Sequence, residues 1–245
     1  MTLPDLFCVA FVALGLLVDH FVVWHAFLRR SEVDPTKARP WLYRALVGEL
    51  WVLAACVASL WWYQRRPWAL LGLNPPHGWR LWISAAAVLA FAATLAGMIA
   101  KLVRLMSRKQ VKMRSETAAR APHTKSELGW WAAVSLSAGF SEELIFRGYL
   151  IWVGQPLVGW WGAAALSLVL FALAHGYQGA SGAMAAGTVG AVLTLVVLAL
   201  GSLWPAIAIH CLLDLQQGVA AWLVLRAPRT KLLAAPPPGK EPPYS

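Results

Sequence analysis

Seven apolar runs, each near the ~20 residues that cross a hydrocarbon core, succeed one another with short polar connectors. They fall at Leu6–Leu28, Leu42–Tyr63, Leu81–Met106, Leu128–Val153, Leu157–His175, Gly182–Gly201 and Leu203–Leu225. In lipid a segment must satisfy its own backbone groups. The pattern therefore predicts an all-α, polytopic membrane helical bundle of about seven transmembrane helices, one domain over residues 1–226. The first run lacks a basic leader, carries Asp5 and is long for a secretory core, so it reads as a retained anchor. Residues 227–245, with APPPGKEPP, read as a Pro-rich disordered tail.

Composition agrees: 59% of the 245 residues are hydrophobic and 13% charged, about half the ~25% of a soluble domain. Trp41, Trp61, Trp62, Trp79, Trp130, Trp131, Trp160, Trp161 and Trp204 mostly flank the runs, as interfacial aromatics do. Lys and Arg crowd the connectors after the first and third runs and the segment after the last, while the fourth to sixth connectors have none. By the positive-inside rule the N-terminus lies outside and the C-terminus in the cytoplasm. The net charge of +10 is thus a topology signal in three separated loops, not a nucleic-acid patch. Cys8, Cys56 and Cys211 all sit in apolar runs and read as core-packing residues. Small residues from Gly176 to Gly190, with Ala186 and Gly190 four apart, permit close helix approach.

Ionisable groups inside such runs cost ~2.5–3.5 kcal/mol each even on the insertion scale. GFSEELIFRG places Glu143 and Arg147 four apart on one helical face, where they pair, and rotates Glu142 away, leaving it free. FALAH sets Phe171 and His175 four apart, and HCLLD does the same for His210 and Asp214. A carboxylate beside an imidazole can hold and deprotonate water; a second histidine can donate to a developing oxyanion.

The ordered triple Glu-Glu-x-x-x-Arg, Phe-x-x-x-His and His-x-x-x-Asn/Asp, each in an apolar helix, resembles the CPBP family of CAAX proteases and bacteriocin-processing intramembrane endopeptidases. The resemblance covers roughly residues 128–225. It implies a hydrolase with catalytic residues Glu142 (general base), His175 (its partner) and His210 with Asp214 (oxyanion pair). Glu143, Arg147 and Phe171 become structural or substrate-orienting, no cofactor is required, and the substrate is a membrane-anchored or lipid-modified protein or peptide. The family's usual last residue is Asn, which donates; an ionised Asp214 cannot. The cell envelope expected is a bacterial inner membrane.

Straight helices would not assemble this set: at 1.5 Å per residue, His175 would stand ~15 Å from the depth of Glu142. We therefore expect an elbow or re-entrant piece at Gly154–Gly162, between the fourth and fifth spans. Three other readings compete. Zinc could be held by His175, His210 and a carboxylate, although His-Glu-x-x-His is missing. Gly139-Phe140-Ser141 is a partial nucleophile elbow. A non-enzymatic scaffold, immunity protein or transporter would use Asp19, His20, His25 and Glu49, which the proteolytic reading leaves idle.

Overall fold

The structure, a computed structural model, describes residues 2–108, 111–227 and 230–233. The helices α1 (Leu3–Val18) and α2 (Trp24–Val33), joined by a π-helical turn at Asp19–Val23, make one rod. They are followed by α3 (Pro35–Tyr63), α4 (Trp79–Arg108), the short α5 (Ser115–Arg120) and α6 (Lys125–Glu142). After a π-helical stretch (Glu143–Leu150) come α7 (Ile151–Ala174), α8 (Gly179–Leu200) and α9 (Trp204–Arg226). Two four-residue strands, β1 (Val111–Arg114) and β2 (Thr230–Leu233), pair in parallel. Part of the segment expected to be a disordered tail is thus paired with β1; the rest of it, residues 228–229 and 234–245, lies outside the described residues.

Six stretches among the described residues are long and apolar enough to cross a membrane, and the 50-residue one, Lys125–Ala174, contains two crossings. It breaks at Gly159, where φ 71° and ψ 169° occupy a region essentially confined to glycine. Beyond it the chain folds back: Gly154 closes on Ala163, and the Ser167 hydroxyl donates to the Phe146 carbonyl at 2.6 Å. This is the expected elbow. Leu14, Leu17, Phe21, Leu157, Trp161 and Leu173 are each more than half exposed, as lipid-facing side chains are. The result is a multi-pass membrane protein.

Two ion pairs, one buried and one partly buried, tie the bundle near its faces. At one, Arg66 forks onto Asp5 at 2.7 and 2.8 Å and lies over the rings of Trp61 and Trp152. At the other, Arg39 pairs with Glu127 at 3.1 Å, while Glu127 also accepts from the backbone N–H of His123 and Thr124. The connector 64–78 meets the α8–α9 corner on the first face, through Leu203 N–H to Gly72 O (2.8 Å) and Ser202 Oγ to Asn74 O (2.8 Å). The second face carries α5, the β pair and the turn at Gly176–Gln178, where Tyr177 packs on Trp24. The N-terminus and the end of α9 lie on opposite faces, which requires an odd number of crossings.

The core joins α1, α3, α7 and α9 around the π-helical stretch, with Trp61, Tyr149, Phe146 and Leu144 all but fully buried. Cys8 and Cys211 are buried, as expected; Cys56 is half-buried, its sulfur 3.7 Å from that of Cys8. Gly139 lets α6 touch α9, since a β-carbon there would strike Cys211 Sγ and come within 3.2 Å of the Ile207 carbonyl. Gly190 does the same for α8: a β-carbon would meet the Arg147 guanidinium at 2.7 Å and the Phe171 ring at 3.0 Å.

Candidate active site

The three motif helices converge on one cavity of about 440 Å³. Glu142, Phe171, His175, His210 and Asp214 line it together with Asp19 and Glu49. The hairpin explains how His175 arrives. Ser167 sits opposite Phe146, so one helical turn along each antiparallel leg sets Phe171 level with Glu142, and a second sets His175 level with Ala138.

Glu143 is fully buried and does two jobs. Its Oε1 accepts from Arg147 at 3.1 Å and from His210 Nδ1 at 2.9 Å. With Nδ1 held there, the opposite nitrogen of His210 points into the cavity, 3.8 Å from Glu142 Oε2 and 3.7 Å from Asp214 Oδ2. Those separations exceed a hydrogen bond. The sequence pairs Asp214 with His210, but Glu143 is what fixes the ring. Asp214 flanks the free nitrogen, and its own Oδ1 lies 3.3 Å from the Gln217 amide.

Arg147 is buried against the Phe171 ring, its guanidinium carbon 4.2 Å from the centroid, and its Nε reaches Thr194 Oγ1 at 3.4 Å. Phe171 in turn lies edge-on to Phe146 (5.1 Å) and 6.3 Å from the His210 ring, so it is a packing wedge between the cation and the imidazoles. His175 Nδ1 is 2.9 Å from the Phe171 carbonyl. A carbonyl only accepts, so Nδ1 carries the hydrogen, and in the neutral ring Nε2 keeps its lone pair.

Glu142 is the carboxylate with capacity to spare. Its Oε2 is buried and has no hydrogen-bond partner among the described residues. Opposite it, α1 presents Asp19 from the π-helical turn, within electrostatic reach of Glu142 and His175. Glu49 on α3 faces Asp19, its Oε2 likewise buried and unpartnered. The first π-helical turn thus carries Asp19 to the cavity, and the second π-helical stretch begins directly after Glu142, a common placement for such bulges. Asp19 and Glu49 are the members that motif reasoning left aside; the signal available was that each is a carboxylate inside an apolar run. His20 and His25 do not line the cavity: His25 Nδ1 sits 3.3 Å from the His20 carbonyl. Ser141 is fully buried, away from the cavity wall. Among the described residues no group of three or more His, Cys, Asp and Glu could together hold a metal ion.

Residues 124–216 match the family model of Rce1-like type II CAAX prenyl endopeptidases, within the CPBP family. All three motifs fall inside the matched segment, which begins at the N-cap of α6 and ends two residues beyond Asp214. No curated protein and no solved structure matches the chain. Asp19, Glu49 and the rest of α1 to α5 lie outside the CAAX-type segment, so their contribution to the cavity is read from the structure alone.

Proposed function

We propose that the protein is an intramembrane endopeptidase that hydrolyses a peptide bond of a membrane-anchored or lipid-modified substrate with water activated by Glu142. The observation that carries this reading is the unpartnered, buried Oε2 of Glu142 in a cavity shared with His175 and His210. Glu142 takes a proton from a water that His175 Nε2 helps hold. The hydroxide adds to the scissile carbonyl carbon, and the negative charge gathers on the carbonyl oxygen. A charged His210 donates through both nitrogens, Nδ1 to Glu143 and Nε2 to that oxygen. When the C–N bond breaks, the proton held by Glu142 passes to the leaving amine.

In this scheme Asp214 sets the electrostatics around His210 without touching the oxyanion. Glu143 and Arg147 are positioning residues, and no metal or covalent intermediate takes part. The substrate reaches the cavity from the second face, between α5 and the Gly176–Gln178 turn, since Tyr43, Thr117, Arg120 and Gln178 line that end. That face is cytoplasmic by the charge rule. A prenyl-modified substrate is the one the matched family's name suggests. The test is cleavage of a prenylated peptide by protein reconstituted in lipid, with Glu142→Gln and chelator arms; loss on chelation, restored by zinc, would move the reading to the metal alternative.

A further inference from the structure

Arg120 is the single Arg or Lys among the described residues that line the cavity; the carboxylates of Asp19, Glu49, Glu142 and Asp214 and the imidazoles of His175 and His210 line it as well. Its position is fixed from both sides. The Tyr43 hydroxyl donates to its carbonyl at 2.7 Å, and its guanidinium lies over the Tyr177 ring at 5.6 Å from the centroid. Among the described side chains it has no carboxylate partner, so the planar fork of donors remains available to a ligand. The cavity wall also includes the apolar side chains of Leu46, Leu50 and Val134.

We propose that Arg120 binds the C-terminal carboxylate of the substrate and so selects chains by their free end. This rests on the proteolytic reading above and adds to it the feature by which a substrate is chosen. An anion entering the cavity is repelled by the acidic cluster around Glu142 and drawn to the one guanidinium, so the two ends of the site fix the direction in which a peptide lies. The Tyr177 ring links the two: it lies 5.6 Å from the guanidinium carbon and 6.3 Å from the His175 ring, which puts that carbon within about 12 Å of the imidazole. An extended chain covers that span in at most three or four residues at ~3.3–3.6 Å each. Cleavage therefore falls at a short, fixed distance from the carboxylate, and Arg120, which lies outside the family-matched segment, acts as a specificity determinant.

The experiment measures binding, so it does not depend on turnover. Full-length Glu142→Gln protein in nanodiscs, with or without phosphatidylglycerol, is titrated with a fluorescent prenylated peptide ending in a free acid or in an amide. We expect the acid to bind at least about tenfold tighter. Arg120→Gln in the same background should bring the acid to the affinity of the amide and leave the amide unchanged, and Arg120→Lys should restore part of the difference. Equal binding of acid and amide overturns the proposal. So does a parallel loss of both on Arg120→Gln, which would make the guanidinium a prop for Tyr177, or a difference that vanishes without anionic lipid, which would make it a phosphate site. If wild-type protein binds the acid selectively yet cleaves neither peptide, the catalytic reading fails and this one stands.

Discussion

Glu142 and Glu143 are adjacent in sequence and opposite in role, and the difference is one of partners. Glu143 spends its Oε1 on Arg147 and His210, whereas Glu142 keeps a buried oxygen for the cavity. If Glu142 is the general base proposed above, Glu142→Gln should lower kcat by about 10²–10⁴ with little change in melting temperature. Glu143→Gln leaves Arg147 buried without its counter-charge and should destabilise by about 3–5 kcal/mol, read by thermal unfolding in detergent. Replacing both partners, Glu143→Leu with Arg147→Met, should recover most of the stability and none of the cleavage, because His210 Nδ1 still lacks its acceptor. A double variant that regains activity would show that Glu143 supports only packing. The pairing of Glu143 with Arg147 and the freedom of Glu142 are legible from a spacing of four residues. The bond from Glu143 to His210 is not: it joins positions 67 apart, and no local period encodes it.

At the level of elements, the elbow and the helix contacts decide whether the residues meet. The sequence supplies the elbow through a depth mismatch, since a straight fifth span leaves His175 too far from Glu142, and the structure locates it at Gly159. Gly159→Ala forces a β-carbon into a glycine-only conformation and should cost about 1–3 kcal/mol, read as a lower melting temperature. Gly139→Ala acts on the site instead: the new methyl meets Cys211 Sγ and pushes α9, which carries His210 and Asp214, away from α6. A displacement near 1 Å can cost about 10²-fold in rate, so kcat should fall far more than stability, and adding Cys211→Ala should restore part of it. The π-helical turns at Asp19 and Glu143 have no such signature, because their extra residue is set by what the helices pack against.

At the scale of the whole molecule, the sequence conveys the bundle and the order of spans, because lipid imposes one length and one polarity on every crossing. It does not convey that α1 and α3 close the cavity. Asp19 and Glu49 look like stray charges until tertiary packing brings their helices against α6 and α7. Asp19→Asn and Glu49→Gln should therefore change kcat or KM of the cleavage reaction, whereas His25→Gln, whose ring contacts its own helix, should change neither. The crossing number is open to a direct check in a background lacking Cys8, Cys56 and Cys211. A membrane-impermeant maleimide applied to intact cells should label Asn74→Cys and spare Lys125→Cys until the membrane is opened; the reverse pattern would invert the topology.

Metal-free activation of water by Glu142, as proposed above, is tested most directly by one assay. Wild-type and Glu142→Gln proteins, matched for melting temperature, are reconstituted in liposomes with a prenylated peptide and assayed with and without a chelator. Cleavage by the wild type should survive the chelator, and Glu142→Gln should lose at least about a hundredfold. Undiminished cleavage by Glu142→Gln, or wild-type cleavage abolished by chelation and restored by zinc, would contradict the proposal.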